Sequence, residues 1–299
     1  MASHAEIPEA RVARGWRRAG LLLELIKFEH TIFALPFALM SALVAAHGWP
    51  RAGVLVWILV AMVGARTSAM AFNRLADLDY DRRNPRTAAR ALPRGLVTPA
   101  QVWSFTAASA AVFLVAAGML NHLALALAPV ALAGLWGYSY SKRFTTWSHV
   151  WLGLCLGIAP VGAWVAVRAE IGFPALLLAA AVTLWTAGFD IIYASQDVAF
   201  DRAEGLYSAP ARLGLPFALA LSALLHAAML GLLIWFGVVA HLGLYYRVGL
   251  AVVVIAFIYQ HAIVRPGDLR RVNAAFFTAN GVVSLGLLAA TMLDAMSRP

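Results

Sequence analysis

Charged residues and cysteine are scarce in this sequence. Only 12% of the 299 residues are charged, about half of what a soluble domain carries, and this excludes an ordinary water-facing surface. A single cysteine, Cys155, excludes an intrachain disulfide framework; it lies in an apolar stretch, where we expect a small core residue. The sequence has hydrophobic residues instead, which make up 62% of the chain. This surplus must face lipid.

Long apolar runs predict an all-α, polytopic membrane protein. About 20 apolar residues are needed to cross the hydrocarbon core of a bilayer, and runs of that length recur, separated by short polar or Arg-bearing connections. We expect about nine transmembrane helices in one domain, residues 20–299, after a polar, Arg-rich cytoplasmic N-terminus, residues 1–19. The predicted spans are 28–48, 53–76, 99–119, 122–140, 148–168, 173–196, 214–238, 244–263 and 274–294.

Lysine and arginine are distributed unequally between the two sides that these spans define. The net charge of +9 could suit nucleic acid, but that needs a basic stripe on a soluble face, so the expected partner is the lipid bilayer and no nucleic acid. Most basic residues fall at the N-terminus and after even-numbered spans, which the positive-inside rule assigns to the cytoplasm. The predicted location is the inner, cytoplasmic membrane. The basic residues on the opposite side are Arg51, Arg168, Arg247 and Arg298.

Acidic residues gather where the second span ends. Asn73, Asp77 and Asp81 are spaced i, i+4, i+8, which places them in one row on a helix, with neighbouring Cβ atoms about 5–6 Å apart. Two carboxylates so placed can share a divalent cation. Asp79 lies two residues from either partner, so we expect it to point elsewhere.

A second acidic pair, Asp197 and Asp201, repeats this spacing where the sixth span ends, with Tyr193 at the position that Asn73 has in the first. A charged pair at a helix end can simply mark the membrane boundary. Charges inside spans are costly, however, and two matching pairs on the same predicted side favour a site. The four spans that separate the pairs hint at an internal repeat.

Two facing acidic pairs predict bound Mg²⁺ and a diphosphate. The pairs would repel each other without cations between them, and Mg²⁺ prefers carboxylate and water oxygens together with the phosphates of a substrate. Mg²⁺ held in this way neutralises the charge that builds on a departing diphosphate, as ionisation of an allylic carbon–oxygen bond requires. The candidate catalytic and metal-binding residues are therefore Asp77, Asp81, Asp197 and Asp201.

Basic residues near these pairs are candidates for binding the diphosphate. Arg66 inside the second span, and Lys142 and Arg143 after the fourth, could hold phosphate oxygens. Arg86 and Arg90 could do the same, although the positive-inside rule explains loop arginines by itself and is favoured for them.

Aromatic and titratable residues add further candidates. Tyr138, Tyr140 and Tyr193 could stabilise a cation through their ring faces, or they could form an interfacial aromatic belt. Four other residues could contact the acceptor or shuttle protons, although hydrogen bonding between helices is the commoner role of a lone membrane histidine. They are Glu29, His30, His226 and His261.

Taken in order, four motifs form a known pattern: Asn73-x3-Asp77-x3-Asp81, Arg86-Thr87-x2-Arg90, Tyr138-x3-Lys142-Arg143 and Asp197-x3-Asp201. This series resembles the UbiA superfamily of intramembrane prenyltransferases over most of the chain. The resemblance implies nine helices around a central cavity, with a Mg²⁺-bound polyprenyl diphosphate under a cytoplasmic cap. It also implies that Arg66, Lys142 and Arg143 contact diphosphate oxygens. The residues it assigns to Mg-diphosphate are Asn73, Asp77, Asp81, Asp197 and Asp201.

Within that superfamily, the stretches 25–36 and 70–77 are most similar to the 4-hydroxybenzoate polyprenyltransferase-like branch, which serves ubiquinone synthesis and the futalosine-type menaquinone route. Arg74 departs from the Asp that is frequent there, and Ala91 from the usual Pro. The implied reaction is Mg-assisted ionisation of a polyprenyl diphosphate and electrophilic substitution on 4-hydroxybenzoate or a dihydroxynaphthoate-type acceptor. Two alternatives stay open. One is a haem O or chlorophyll synthase-like prenyltransferase, suggested by Ile158-Ala-Pro160-x-Gly162; the other is a secondary transporter with intramembrane Asp residues.

Overall fold

The computed structural model of the chain describes residue 20 and residues 31–297. The predictions for residues 1–19, for the start of the first span, and for Glu29, His30 and Arg298 lie outside the described residues. Within them the chain is helical, with no β-strand. The prediction of an all-α fold is confirmed.

Eight described helical segments are long and apolar enough to cross a membrane, and a ninth, shorter apolar helix corresponds to the first predicted span. Each agrees with its predicted span to within a few residues, except that the sixth continues as far as Ala203 through two further short helical segments. The helices are α1 (Thr31–Ala46), α2 (Ala52–Ala76), α3 (Leu78–Arg83), α4 (Pro99–Leu120), α5 (His122–Ser141), α6 (Ser148–Arg168), α7 (Phe173–Ala194), α8 (Val198–Ala203), α9 (Ala209–Leu213), α10 (Leu215–Val239), α11 (Leu244–Ile263) and α12 (Asn280–Ser297), the last preceded by a π-helical turn, Ala275–Ala279.

Three polar residues explain where helices α4 and α5 begin and end within the apolar sequence. Thr98 and Gln101 form a reciprocal capping box at the start of α4, which satisfies two backbone N–H groups that a helix N-terminus leaves free. Asn121 separates α4 from α5: its Oδ1 accepts a hydrogen bond from the Ala124 N–H at 2.9 Å, and its Nδ2 donates to the Val165 carbonyl at 2.7 Å. A single residue thus ends one span, begins the next and ties both to α6.

Helix α7 lies at the centre of the bundle, where it packs against α6 and α10. Gly153 and Gly157 on α6 permit the approach, because a Cβ atom at either position would collide with the α7 backbone at Thr183 or Ala179. Small residues four apart are a usual means of close helix packing in membranes, where apolar side chains gain nothing by leaving lipid. The position of α7 matters because its last turns carry the second acidic motif toward the first.

The short helices α3, α8 and α9 all lie at one end of the bundle, which we call the site end. At the opposite end, the buried Asp294 carboxylate accepts hydrogen bonds from the backbone N–H groups of Gly243 (2.6 Å), Tyr245 (3.2 Å) and Tyr246 (3.2 Å). A carboxylate at a helix N-terminus satisfies free donors and complements the helix dipole. Asp294 therefore fixes the start of α11 against α12.

Candidate active site

A hollow of about 220 Å³ opens at the site end, between α2, α3, α5, α7 and α8. It brings both acidic motifs together, although Asp77 and Asp197, the first aspartates of the two motifs, are 120 positions apart in the sequence. Four candidates named from the sequence are not among its lining residues: Arg66, Tyr140, His226 and His261. The candidates that line it include Asn73, Asp77, Asp81, Tyr138, Lys142, Arg143, Tyr193, Asp197 and Asp201.

The first acidic motif keeps its predicted row although the helix is interrupted there. Helix α2 ends at Ala76, and Asp77 leaves the helical conformation with ψ near 10° before α3 begins. The Asp77 N–H still donates to the Asn73 carbonyl (2.9 Å), and the Asp81 N–H to the Asp77 carbonyl (2.7 Å). These bonds preserve the four-residue repeat, so all three side chains face the hollow. The Asp79 side chain is 81% exposed, as expected.

Asp77 is held by an amide and a guanidinium. Asn73 Nδ2 donates to Asp77 Oδ2 at 2.9 Å, and Arg143 Nη2 lies 3.5 Å from Oδ1. Burial raises the pKa of the Asp77 carboxyl above its ordinary value. The Arg143 guanidinium also lies over the Tyr140 ring, 4.7 Å from its centroid. Tyr140 thus contacts Arg143, but it is not among the described residues that line the hollow.

Asp81 is buried between two arginines. Arg90 Nη1 donates to both carboxylate oxygens, at 2.9 and 2.8 Å, and Arg74 Nη1 lies 3.7 Å from Oδ2. Both arginines line the hollow. Arg90 therefore contacts a site carboxylate, a role that the positive-inside rule by itself does not predict, and the sequence departure at Arg74 supplies a second cation beside Asp81.

The second acidic motif is joined to the loop after α3. Arg86 donates to Asp197 through two parallel hydrogen bonds, and Nη1 reaches the Tyr193 hydroxyl at 3.4 Å. Asn84 Nδ2 adds a contact to Asp197 Oδ1 at 3.4 Å. Arg86 therefore also belongs to the site, because its guanidinium forms a bidentate pair with a site carboxylate, which the positive-inside rule by itself does not predict.

Lys142 lies at the end of α5 among four carboxylates, those of Asp190, Asp201, Asp197 and Asp77. Burial by itself lowers the pKa of an ammonium group, but these carboxylates outweigh burial and raise the pKa of Lys142. Its main-chain carbonyl accepts a hydrogen bond from the Tyr207 N–H at 2.8 Å. The hollow therefore contains a fixed positive charge between the two acidic motifs.

The donor set of the hollow fits Mg²⁺ bound together with a phosphate-bearing substrate. In the described part of the chain, no three His, Cys, Asp or Glu side chains are grouped closely enough to hold a metal by themselves. Mg²⁺ is usually bound by one or two carboxylates, waters and substrate phosphates, so such a cage is not required. The buried Asp201 Oδ2 accepts no well-formed hydrogen bond from the described residues, and the nearby buried Ser208 hydroxyl makes none either. This oxygen is available to a cation.

Sequence reasoning missed four polar residues of this region: Arg74, Asn84, His149 and Asp190. Asp190 lines the hollow from α7, one turn before Tyr193, and its buried carboxylate meets His149 on α6. A signal was present for Arg74, His149 and Asp190, because charged or titratable residues within apolar spans mark functional positions. Asn84 follows α3 in a loop, and nothing in its local sequence indicates that it contacts Asp197.

Arg66 and the two histidines of the C-terminal half lie elsewhere. Arg66 is seven residues before Asn73, so it shares the face of the motif but lies about 10 Å deeper along α2, and it is not among the described residues that line the hollow. His226 Nδ1 lies 2.9 Å from His261 Nε2, and His226 Nε2 lies 3.3 Å from the Trp185 carbonyl. A carbonyl only accepts, so His226 donates through Nε2 and joins α10, α11 and α7.

Comparison with known proteins gives one consistent result. A sequence model of the UbiA prenyltransferase family matches residues 34–282. Proteins named 4-hydroxybenzoate octaprenyltransferase are similar: that of Ralstonia nicotianae is 31% identical over 259 residues (84% of this chain, 87% of the relative), and that of Cupriavidus necator 32% over 265 residues (87% and 92%).

Solved structures show the same fold. The apo structure of a UbiA homolog from Aeropyrum pernix K1 has a TM-score of 0.81 and 37% identity, and covers 90% of this chain and 98% of its own. A UbiA homolog from Archaeoglobus fulgidus bound to GPP and Mg²⁺ has a TM-score of 0.73 at 19% identity, covering 92% and 99%. At 19% identity, the similarity to the Archaeoglobus fulgidus structure supports a shared fold and nothing further.

Proposed function

The chain belongs to the UbiA prenyltransferase family, and on that premise we propose that it transfers a polyprenyl chain from its diphosphate to a small aromatic acceptor within the membrane. The resemblance drawn from the motifs is confirmed by this membership. The observation that carries the proposal is the hollow itself: Asp77, Asp81, Asp197 and Asp201, contributed by two separate spans, face one space with Lys142 between them.

The donor diphosphate is proposed to bind in this hollow through charge. Lys142, Arg143, Arg86 and Arg90 present four cationic groups to its oxygens. Mg²⁺ would be held by the two aspartate pairs with Asn73 beside them, and the chemistry it supplies is neutralisation of the charge that develops on the departing diphosphate. This assignment accounts for carboxylates and cations being concentrated together in a lipid-embedded bundle.

The acceptor reaction requires that the allylic cation be kept from water. Tyr193 lines the hollow, and its ring packs against the buried Phe276 with 4.5 Å between ring centroids. Ring faces stabilise a cation without reacting with it as water would. The cation is then attacked by an electron-rich ring carbon of the acceptor, a carbon–carbon bond forms, and the ring proton is lost.

The names of the curated relatives favour 4-hydroxybenzoate as acceptor, and we extend the proposal to hydroxynaphthoate-type quinone precursors of similar shape. The haem O or chlorophyll synthase alternative has no comparable support. A secondary transporter requires charges near the bilayer midplane, whereas the acidic residues of the hollow lie at one end of the bundle. We therefore favour the enzyme.

The orientation proposed is that of the positive-inside rule, with the site end in the cytoplasm and the protein in the inner membrane. Arg74, Arg86, Arg90 and Lys142 all lie at the site end. Arg51, Arg168 and Arg247 lie at the start or end of helices at the opposite end. The asymmetry supports entry of a charged diphosphate from the cytoplasmic side.

The test is a reaction with purified protein in nanodiscs, supplied with Mg²⁺, an allylic diphosphate and a panel of acceptors that includes 4-hydroxybenzoate and a dihydroxynaphthoate. We expect acceptor-dependent release of pyrophosphate and a prenylated product by mass spectrometry. The exposed Asp79 provides a matched control: Asp77→Ala should abolish release, while Asp79→Ala should not. Absence of release with every acceptor, or full activity of Asp77→Ala, would overturn the proposal.

A further inference from the structure

A buried histidine contacts the carboxylate in the floor of the hollow. His149, near the start of α6, is 2% exposed, and its Nδ1 lies 2.7 Å from Oδ2 of Asp190 on α7, which is 8% exposed. A short hydrogen bond between two buried side chains restricts the orientation of both. The proposed function assigns neither His149 nor Asp190 to metal binding or to contact with the diphosphate.

The second ring nitrogen decides which tautomer is present. The Ala209 backbone N–H, at the start of α9, donates to His149 Nε2 at 3.1 Å. A backbone N–H only donates, so Nε2 must carry a lone pair, and the proton of a neutral imidazole must then be on Nδ1. His149 therefore donates Nδ1–H to the Asp190 carboxylate.

Asp190 and Lys142 share one space, because both line the hollow. The negative charge of Asp190 contributes to the raised pKa of Lys142. Two of the other carboxylates around Lys142 already have partners: Arg86 for Asp197, and Arg143 with Asn73 for Asp77. One short segment fixes the arrangement from outside, since the Tyr207 N–H binds the Lys142 carbonyl and the Ala209 N–H binds His149.

We propose that His149 is a positioning residue: its Nδ1–H holds the Asp190 carboxylate toward Lys142, so that the Lys142 ammonium is aimed at the diphosphate. This inference rests on the proposed function, because it assumes that a diphosphate occupies the hollow. Without the Nδ1–H donor, the buried Asp190 carboxylate loses a hydrogen bond and turns to other donors. Lys142 then loses its fixed counter-charge on the side away from the substrate.

Two substitutions separate the two contacts of the imidazole. In His149→Asn the amide nitrogen occupies the place of Nδ1 and keeps the donor to Asp190, while the acceptor for Ala209 is lost. In His149→Gln the amide oxygen reaches the place of Nε2 and keeps the acceptor, while the donor is lost. We expect His149→Gln to weaken pyrophosphate binding and reduce kcat by about tenfold or more, with the KM for the acceptor unchanged. The pyrophosphate affinity and the kcat of His149→Asn should remain within about threefold of the wild-type values.

The measurements are calorimetric titration of each variant with inorganic pyrophosphate in the presence of Mg²⁺, steady-state kinetics, and thermal unfolding. Asp190→Asn should weaken pyrophosphate binding as His149→Gln does. The inference is overturned if His149→Gln binds pyrophosphate normally, if His149→Asn is the weaker of the two, or if Asp190→Asn keeps full affinity. The inference is also overturned if His149→Gln and His149→Asn lose pyrophosphate affinity equally and their unfolding temperatures fall equally. A purely structural role of His149 in anchoring α9 would then explain both losses. If the unchanged protein releases no pyrophosphate with any acceptor, the proposed function fails, whereas the binding comparison still tests His149.

Discussion

Arg86 and Asp197 form a bidentate pair, with Nε donating to Oδ1 at 2.9 Å and Nη2 to Oδ2 at 2.6 Å. This pair ties the loop that follows the first acidic motif to the second acidic motif. Asn84 reinforces it, because its Oδ1 accepts from the Arg86 N–H at 2.9 Å while its Nδ2 reaches Asp197. The loop that follows α3 is thus held to the second acidic motif by Arg86 and Asp197, both of which line the hollow.

Replacement of Arg86 by lysine should weaken binding of the prenyl diphosphate. Lysine keeps the charge but cannot reproduce two parallel N–H bonds to a carboxylate or phosphate. We expect Arg86→Lys to raise the KM for the diphosphate by about tenfold, measured by initial rates at saturating acceptor. Arg82→Lys is the matched control, because the Arg82 side chain is 55% exposed and pairs with the exposed Asp79. Equal KM values in both variants would contradict the prediction.

Removal of divalent metal should stop the reaction without unfolding the protein. Asp81 and Asp197 are already paired with arginines, so the fold does not depend on a metal to separate them. We expect excess EDTA to abolish acceptor-dependent pyrophosphate release and added Mg²⁺ to restore it, while the unfolding temperature changes little. Continued release in excess chelator would show that the carboxylates act without a cation.

Gly153→Ala should destabilise the contact between α6 and α7. The added Cβ would collide with the Thr183 backbone, and backbone atoms of two packed helices cannot yield as a flexible side chain can. A loss of about 1–3 kcal/mol is expected, seen as a lower unfolding temperature in detergent. Gly162→Ala on the same helix is the control, since its Cβ would meet nothing within 4 Å. The prediction fails if the two variants unfold at the same temperature.

Asp294→Ala should destabilise the opposite end of the bundle and spare the chemistry. The substitution leaves three backbone N–H groups at the start of α11 without their carboxylate. Loss of such a cap costs about 0.5–2 kcal/mol, so we expect a lower unfolding temperature with unchanged kcat per folded molecule at low temperature. The exposed Glu170, at the same end, gives the control Glu170→Ala. An unchanged unfolding temperature in Asp294→Ala would contradict the capping role.

The sequence by itself determined the spans, because the apolar length needed to cross a bilayer and the cost of burying charge act locally along the chain. It also determined that Asn73, Asp77 and Asp81 share a row, since a helix repeat places residues four apart on one face. Even the break at Asp77 left this row intact. The family resemblance followed from the same local spacings.

Tertiary structure alone decided which charges meet. Arg86 and Asp197 are 111 residues apart and His149 and Asp190 are 41 apart, so their contacts depend on how α3, α6 and α7 pack and on the path of one loop. A local pattern cannot distinguish an arginine that marks a membrane side from one that binds a site carboxylate. It also could not show that Arg66, which shares the face of the motif but lies deeper on α2, does not line the hollow, because depth is set by where the facing helices end.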